Sequence, residues 1–208
     1  MVLEFTVVIL IGYLIGSIPF GLIIGKWIRG IDIREYGSGN IGFTNVLRTV
    51  GAKAGIATLI LDVAKGAVPA WLGGEIVGGD ATAAGEIAGA LAAVMGHNWS
   101  VYLKFAGGKG VDTSLGGLIP MSPWVAAVCL VIGAVIIRTT RYVSVASMSG
   151  GIIASLVLTP LVITGNEPSE YLIYGIAATI LIVLRHRDNI ANLRAGTERR
   201  LGEKGERR

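Results

Sequence analysis

The sequence contains little charge, a single cysteine and only two histidines. Asp, Glu, Lys and Arg make up 15% of its 208 residues, well below the usual quarter, which argues against an ordinary soluble domain. Cys129 alone cannot form an intramolecular disulfide. No Cys/His ligand set and no carboxylate cluster with metal spacing is present, so we expect no metal and no cofactor. Hydrophobic residues make up 52% of the chain and its mean hydropathy is +0.67, values that indicate an integral membrane protein.

Seven apolar segments divide the chain. They predict an all-α integral membrane protein, a single domain over residues 1–208 with a basic tail at 185–208, and 31 glycines would let its helices approach closely. The fourth and fifth segments are together too short for two full spans of about 20 residues each. We expect them to be short helices that meet at the Pro120–Pro123 turn. The segments are residues 2–28, 54–73, 81–98, 110–119, 124–137, 143–164 and 171–184.

Basic residues fall in alternate loops and so predict the orientation. Residues 26–53 hold five Lys or Arg and the tail holds eight, whereas the acidic loops at 74–80 and 165–170 hold none. The positive-inside rule then places the N-terminus outside and the C-terminus in the cytoplasm. Asp62 and Lys65 lie three residues apart in the second segment, where one charge costs roughly 2.5–3.5 kcal/mol. We expect them to pair inside the protein, as a structural brace rather than as catalytic groups.

The first candidate site is a polar loop at residues 30–50. Its glycines allow consecutive backbone N–H groups to turn toward one anion. Ser38, Thr44 and Asn45 add side-chain hydrogen bonds, and Arg48 adds a planar fork suited to phosphate. A plain turn between two helices is the alternative. We interpret the loop as a phosphate cradle at the edge of a membrane, to which Gly37, Gly39, Asn40 and Gly42 also belong.

Two further polar segments lie on the predicted cytoplasmic side. In the run Gly107-Gly108-Lys109-Gly110, Lys109 supplies a positive charge at a helix start. The alternative interpretation is a glycine-rich entry to a helix that binds no ligand. His186 and Asn189 follow the last apolar segment and would share a helix face, where His186 can act as a base or a donor. The alternative is an interfacial cap followed by a solvated basic tail attracted to anionic lipid. Ser144 begins the sixth segment, and we expect it to cap that helix.

Arg48, Lys109 and His186 are thus predicted to converge on phosphorylated substrates at the cytoplasmic face. Read in order, the three segments resemble the bacterial acyl-phosphate:glycerol-3-phosphate acyltransferases, the PlsY family. The matching runs are S-G-N-x-G-x-T-N-x-x-R at Ser38–Arg48, G-G-K-G-V at Gly107–Val111 after Gly96-His97, and H-R-x-N-I at His186–Ile190 with Gly196 and Glu198 after it. The resemblance covers nearly the whole chain and implies a small seven-helix membrane protein.

The resemblance implies an acyl transfer reaction. A long-chain acyl group would pass from acyl phosphate to the sn-1 hydroxyl of glycerol 3-phosphate, giving lysophosphatidic acid and inorganic phosphate. Ser38 and its glycines would hold the acyl-phosphate group, while Arg48, Lys109, His186 and Asn189 would bind glycerol 3-phosphate and stabilise charge. His97, Ser147, Gly196 and Glu198 are further expected substrate contacts. The expected partners are the two substrates and membrane lipid, with no nucleic acid and a monomeric chain.

The sequence departs from the family pattern at several positions. Asp112 stands where the family has alanine, and it would pair with Lys109 or select another polyol phosphate. The other departures are Ile41, Phe43, Trp99-Ser100 and Asn192. Two alternatives therefore stay open: a related transferase with a different acceptor, and an organophosphate transporter. The transporter is disfavoured because the two halves show no internal repeat and the polar motifs all lie on one side.

Overall fold

A computed structural model describes residues 1–207, in which the regular elements are helices joined by loops and followed by a non-helical tail. Three short 3₁₀ helices, Ile33–Glu35, Gly79–Ala81 and Val101–Leu103, interrupt the connections. The described residues form ten α-helices in chain order: α1 (Val2–Gly16), α2 (Phe20–Arg29), α3 (Phe43–Thr49), α4 (Ala52–Val77), α5 (Thr82–Asn98), α6 (Val111–Met121), α7 (Pro123–Thr140), α8 (Val143–Ile163), α9 (Tyr171–Arg185) and α10 (Arg187–Ala195).

Each of the seven predicted apolar segments is helical, with five differences from the sequence prediction. The first segment is broken at Pro19 into α1 and α2, because proline has no N–H to continue the ladder. The predicted loop at 30–50 contains α3, and the predicted acidic loop at 74–80 is wrong because α4 continues to Val77. The tail contains α10. The two helices expected to be short meet at Ser122: α6 is short, with 11 residues, but α7 has 18 residues and is long enough to cross a membrane, so the prediction was wrong for α7.

The long helix α4 lies at the centre and packs against α1, α5 and α6. Glycine makes its contact with α5 possible: a Cβ on Gly73 would lie 2.0 Å from the carbonyl oxygen of Gly85, and one on Gly85 would lie 2.2 Å from that of Gly73. The predicted pair of α4 is confirmed, since Lys65 Nζ lies 2.7 Å from Asp62 Oδ1 and both side chains are buried. Lys65 also donates to the carbonyl of Ile18, 2.8 Å away, and so braces the break between α1 and α2.

A second group of helices, α7, α8 and α9, packs beside this centre and shares an apolar core with it. Four segments are long and apolar enough to cross a membrane: α1 together with α2, α4, α7 and α8. Helix α9 is apolar but shorter. The orientation of the chain across the membrane stays a prediction from the charge distribution.

Candidate active site

One cavity of about 360 Å³ collects residues from all three sequence motifs. Helices α7 and α8 form its apolar side, and α3, the loop before α6 and the turn between α9 and α10 form its polar side. The cavity therefore combines a polar end with an apolar wall. The predicted site residues that line it are Ser38, Asn40, Gly42, Thr44, Asn45, Arg48, His97, Lys109, Gly110, Ser147, His186, Asn189 and Glu198.

Five predicted glycines do not line this cavity among the described residues; two of them pack closely against His97 and three adopt a positive φ. A Cβ on Gly107 would lie 2.3 Å from the carbonyl oxygen of His97, and one on Gly108 would lie 1.9 Å from His97 Nε2. Gly196 ends α10 in the left-handed conformation that favours glycine, with φ +71°. Gly37 and Gly39 also have positive φ, 56° and 72°. The residues that line the cavity therefore give no support to the substrate contacts predicted for these five glycines.

Asn45 organises the first motif from the inside. Its side chain is buried, and its Nδ2 donates to the carbonyl oxygens of Ile33, Tyr36 and Asn40 at 3.1, 3.1 and 2.8 Å. Its Oδ1 accepts the backbone N–H of Ser38 at 3.0 Å. These bonds occupy both ends of the amide. Asn45 therefore shapes the loop, whereas the sequence motif suggested a side chain that binds substrate directly.

Arg185 anchors the second motif, and the sequence analysis missed it. Its Nε donates to the carbonyl of Gly108 at 3.0 Å and its Nη2 to that of Gly107 at 3.2 Å. Its guanidinium also lies 5.4 Å from the centre of the Trp99 ring, a cation–π contact. In the sequence, the one indication that Arg185 belongs to the site is its position directly before His186. Arg185 holds the loop that carries Lys109 against the end of α9.

A chain of hydrogen bonds joins the second and third motifs. Lys109 Nζ donates to Asn189 Oδ1, and Asn189 Nδ2 donates to Glu198 Oε1 at 2.7 Å. Ser144 Oγ donates to the same Glu198 oxygen at 2.6 Å, so the expectation that Ser144 caps α8 is wrong. Burial lowers the pKa of Lys109, and the charge of Glu198 opposes that shift. A buried cation facing a cavity favours an anionic ligand because water screens it poorly.

His186 is buried at the junction of α9 and α10. The pKa of His186 is lowered to about 4, mainly by burial and secondly by the nearby charge of Lys109. The ring is therefore neutral at neutral pH. Its Nδ1 lies 2.8 Å from the carbonyl oxygen of Ile182 and therefore carries the proton. The lone pair is then on Nε2. His186 can accept a hydrogen bond from a hydroxyl group in the cavity.

Arg48 reaches the cavity from α3 and contacts the C-terminal tail. Its Nη2 donates to the carbonyl oxygens of Arg199 and Arg200, at 3.3 and 2.8 Å. Burial lowers the pKa of Arg48, but arginine keeps its charge over the whole physiological range. Arg199 itself lines the cavity and was not predicted. The polar end therefore combines three positive side chains with the carboxylate of Glu198.

Asp112 lines the cavity without pairing with Lys109, so that part of the sequence interpretation is wrong. Among residues 1–207 its carboxyl group makes no hydrogen bond and no ion pair, and the charges of Asp62 and Lys65 act on it. His97 also lines the cavity, and its Nδ1 is 3.9 Å from Asp62 Oδ1, too far for a hydrogen bond. Asp112 is therefore available to a ligand.

The apolar wall has the character of an acyl-chain site. It comes from α7 and α8 and includes Leu130, Ala134, Ile137, Ala146 and Ala154. Several of these positions carry small side chains, which leave room for a chain beside them. The wall continues from the cationic end, so a ligand that fits the whole cavity has a negatively charged head and an apolar tail.

Comparison with known proteins gives one consistent family. A family model described as glycerol-3-phosphate acyltransferase matches residues 6–196. The chain is 42% identical over 217 residues to glycerol-3-phosphate acyltransferase 3 of Dehalococcoides mccartyi strain CBDB1, covering 98% of this chain and 99% of the relative. It is 43% identical to the glycerol-3-phosphate acyltransferase of Shouchella clausii, with the same coverage.

Two crystal structures have the same fold as this chain. One is PlsY (YgiH), an integral membrane glycerol 3-phosphate acyltransferase, in its glycerol 3-phosphate form. It has a TM-score of 0.86, with 39% identity over 95% of this chain and 96% of that one. The lysophosphatidic acid form of the same enzyme has a TM-score of 0.84, with 38% identity over 95% of both chains.

Proposed function

This chain belongs to the glycerol-3-phosphate acyltransferase family, and we propose that its acyl donor is an acyl phosphate used at the cytoplasmic face of the membrane. It is an integral membrane acyltransferase whose acceptor is glycerol 3-phosphate, and its reaction belongs to phospholipid synthesis. The products of the proposed reaction are lysophosphatidic acid and inorganic phosphate. The family match favours an acyltransferase over the transporter considered from the sequence.

The observation that carries the proposal is the composition of the cavity that the three motifs share. Arg48 and Lys109 bring positive charge to one end, and α7 and α8 line the other end with apolar side chains. A phosphate group fits the first end and a fatty acyl chain fits the second. An acyl phosphate has both parts, and glycerol 3-phosphate needs only the first.

The proposed reaction is a direct acyl transfer. The sn-1 hydroxyl oxygen attacks the acyl carbonyl carbon, an ester C–O bond forms, and the C–O bond to phosphate breaks. The phosphate leaves with the bonding electrons and takes the hydroxyl proton, so no protein base has to hold it. An acyl phosphate is already activated, and the enzyme mainly aligns the two substrates and neutralises charge.

We assign the protein groups to these tasks from their contacts. The backbone N–H groups of residues 37–40 already donate within the protein, so the hydroxyl group of Ser38, which lines the cavity on the loop shaped by Asn45, is the group that donates to the donor phosphate. Arg48 and Lys109 bind the phosphate of the acceptor, and Asn189 keeps Lys109 in place. His186 Nε2 accepts a hydrogen bond from the attacking hydroxyl and orients it.

The proposed reaction site lies where the apolar helices meet the predicted cytoplasmic surface. Its basic surroundings follow the positive-inside pattern, and the acyl chain would extend between helices toward the lipid. This arrangement lets a soluble acceptor and a membrane-bound donor reach one cavity from opposite directions.

The experiment uses protein purified in detergent with palmitoyl phosphate and glycerol 3-phosphate, and it measures phosphate release and lysophosphatidic acid. We expect both products in equal amounts from the unchanged chain, and background release from Lys109→Ala. The matched control is Lys104→Ala, because Lys104 is an exposed lysine of the same loop and lies outside the cavity. Phosphate release without lysophosphatidic acid, or equal activity in Lys109→Ala, would contradict the proposal.

A further inference from the structure

The C-terminal tail beyond α10 returns across the molecule and contacts two distant loops. Leu201 N donates to the carbonyl of Arg141 at 2.7 Å, and Arg141 Nη2 donates back to the carbonyl of Leu201 at 2.9 Å. Further along, Gly37 N donates to the carbonyl of Glu206 at 2.8 Å. The tail therefore spans from the start of α8 to the first motif. These residues lie beyond the range 6–196 that matches the family model.

The tail makes its most consequential contacts with Arg48. Two tail carbonyls, those of Arg199 and Arg200, accept hydrogen bonds from the Arg48 side chain. The Arg48 backbone carbonyl accepts a third from the N–H of Gly205, at 3.3 Å. Arg48 Nε is buried and has no hydrogen-bond partner among residues 1–207. The tail thus holds the guanidinium through Nη2, and the N–H at Nε has no acceptor among the described residues.

Helix α3 cannot position Arg48 by itself. It has seven residues, and an isolated helix of that length is not stable in water. Asn45 holds the beginning of α3 through the loop before it. The tail contacts its last turn, at Arg48 and near Thr49. The direction of the Arg48 side chain therefore depends on residues that lie about 150 positions away.

We propose that residues 199–206 position Arg48, so that the tail is a functional part of the acceptor-binding site. This inference rests on the proposed function, in which Arg48 binds the phosphate of glycerol 3-phosphate. It replaces the interpretation of the tail as a solvated extension attracted to anionic lipid. Residues 199–206 are positioning residues, because they act on the substrate through Arg48.

The first test shortens the chain after Glu203, which removes Gly205 and Glu206 but keeps Glu198 and the carbonyls of Arg199 and Arg200. We expect the KM for glycerol 3-phosphate to rise about tenfold, the effect of losing one or two hydrogen bonds, with kcat within about twofold; the KM for palmitoyl phosphate should rise less, through loss of the bond between Gly37 N and the carbonyl of Glu206. The control is Glu35→Ala, which removes only the exposed ion pair with Arg207 and should leave both constants unchanged. The assay is run in neutral detergent without anionic lipid. A tail that acts only through lipid gives no change there, and that result would overturn the inference.

The second test disturbs the tail by one atom. A Cβ at Gly205 would lie 2.3 Å from Thr49 Oγ1, so Gly205→Ala pushes the tail away from α3 and should raise the same KM. Removing that hydroxyl in the double variant Gly205→Ala/Thr49→Ala leaves the nearest Thr49 atom at 3.4 Å and should restore the KM, while Thr49→Ala alone stays near the unchanged value. Faster hydrogen exchange of α3 amides in the shortened chain should accompany the KM change. An unchanged KM in the shortened chain and in Gly205→Ala refutes the positioning role, whereas an unchanged chain that makes no product refutes the proposed function instead.

Discussion

Replacing Asn45 with aspartate should disrupt the structure of the loop around Ser38, although only the side-chain nitrogen is exchanged, for an oxygen. The amide nitrogen of Asn45 donates to three backbone carbonyls, and an ionised carboxylate has no hydrogen to donate. The replacement oxygen would instead face three carbonyl oxygens at about the same distances. The acceptor bond from Ser38 N can survive, because aspartate keeps Oδ1.

The expected size follows from burial. The Asn45 side chain is only 2% exposed, so lost bonds are not replaced by water. Losing two donated hydrogens and leaving carbonyls unpaired should cost about 3 kcal/mol in the free energy of unfolding. At roughly 2–4 °C per kcal/mol, the melting temperature should fall by about 6–12 °C. The value of kcat/KM should fall at least about tenfold, because the Ser38 loop loses its shape.

The assay compares melting in detergent and steady-state kinetics for Asn45→Asp and for Asn166→Asp. The second variant makes the same chemical change at an exposed site that bonds only to Thr164. Burial raises the pKa of a carboxyl group, so the deficit of Asn45→Asp should shrink as pH falls and the acid gains a hydrogen to donate. If Asn45→Asp melts and turns over like Asn166→Asp, the assignment of Asn45 as the organiser of the loop is wrong.

Three further predictions concern the other walls of the cavity. The pKa of His186 is lowered to about 4, so the ring is neutral from pH 6 to 8; if phosphate takes the proton, kcat/KM should increase with pH with a midpoint near 6 as the phosphate becomes a dianion, and protonation of His186 should add a second loss of activity only as pH falls to about 4, whereas a midpoint near 6 that moves in His186→Gln would contradict this. Glu198→Gln keeps an acceptor for Ser144 and should retain more activity than Glu198→Ala by about tenfold, whereas equal losses would show that charge alone matters. Asp112→Ala should change the ranking of acceptors in a panel of polyol phosphates, because the Asp112 carboxyl group is available to ligand hydroxyls; an unchanged ranking would remove it from acceptor recognition.

The membrane character and the helical segments were predictable from the chain because they depend on neighbouring residues. Long apolar runs need no partner elsewhere to favour a helix, and Pro120–Pro123 and Pro19 remove backbone donors wherever the chain goes. The break at Pro19 was nevertheless missed, because the apolar run continues through it. The pairing of Asp62 with Lys65 was also predictable, since three positions along a helix place two side chains on one face.

Local sequence determined that this protein is helical, apolar enough for a membrane, and equipped with three polar motifs. Only the tertiary structure decided what those motifs contact. Lys109 meets Asn189 across 80 positions, Ser144 meets Glu198 across 54, and Arg48 meets Arg200 across 152. No local pattern encodes such pairs, because side-chain direction at a helix end depends on how the helices pack. That is why Asn45 and Ser144 took roles different from those expected, and why the tail became part of the site.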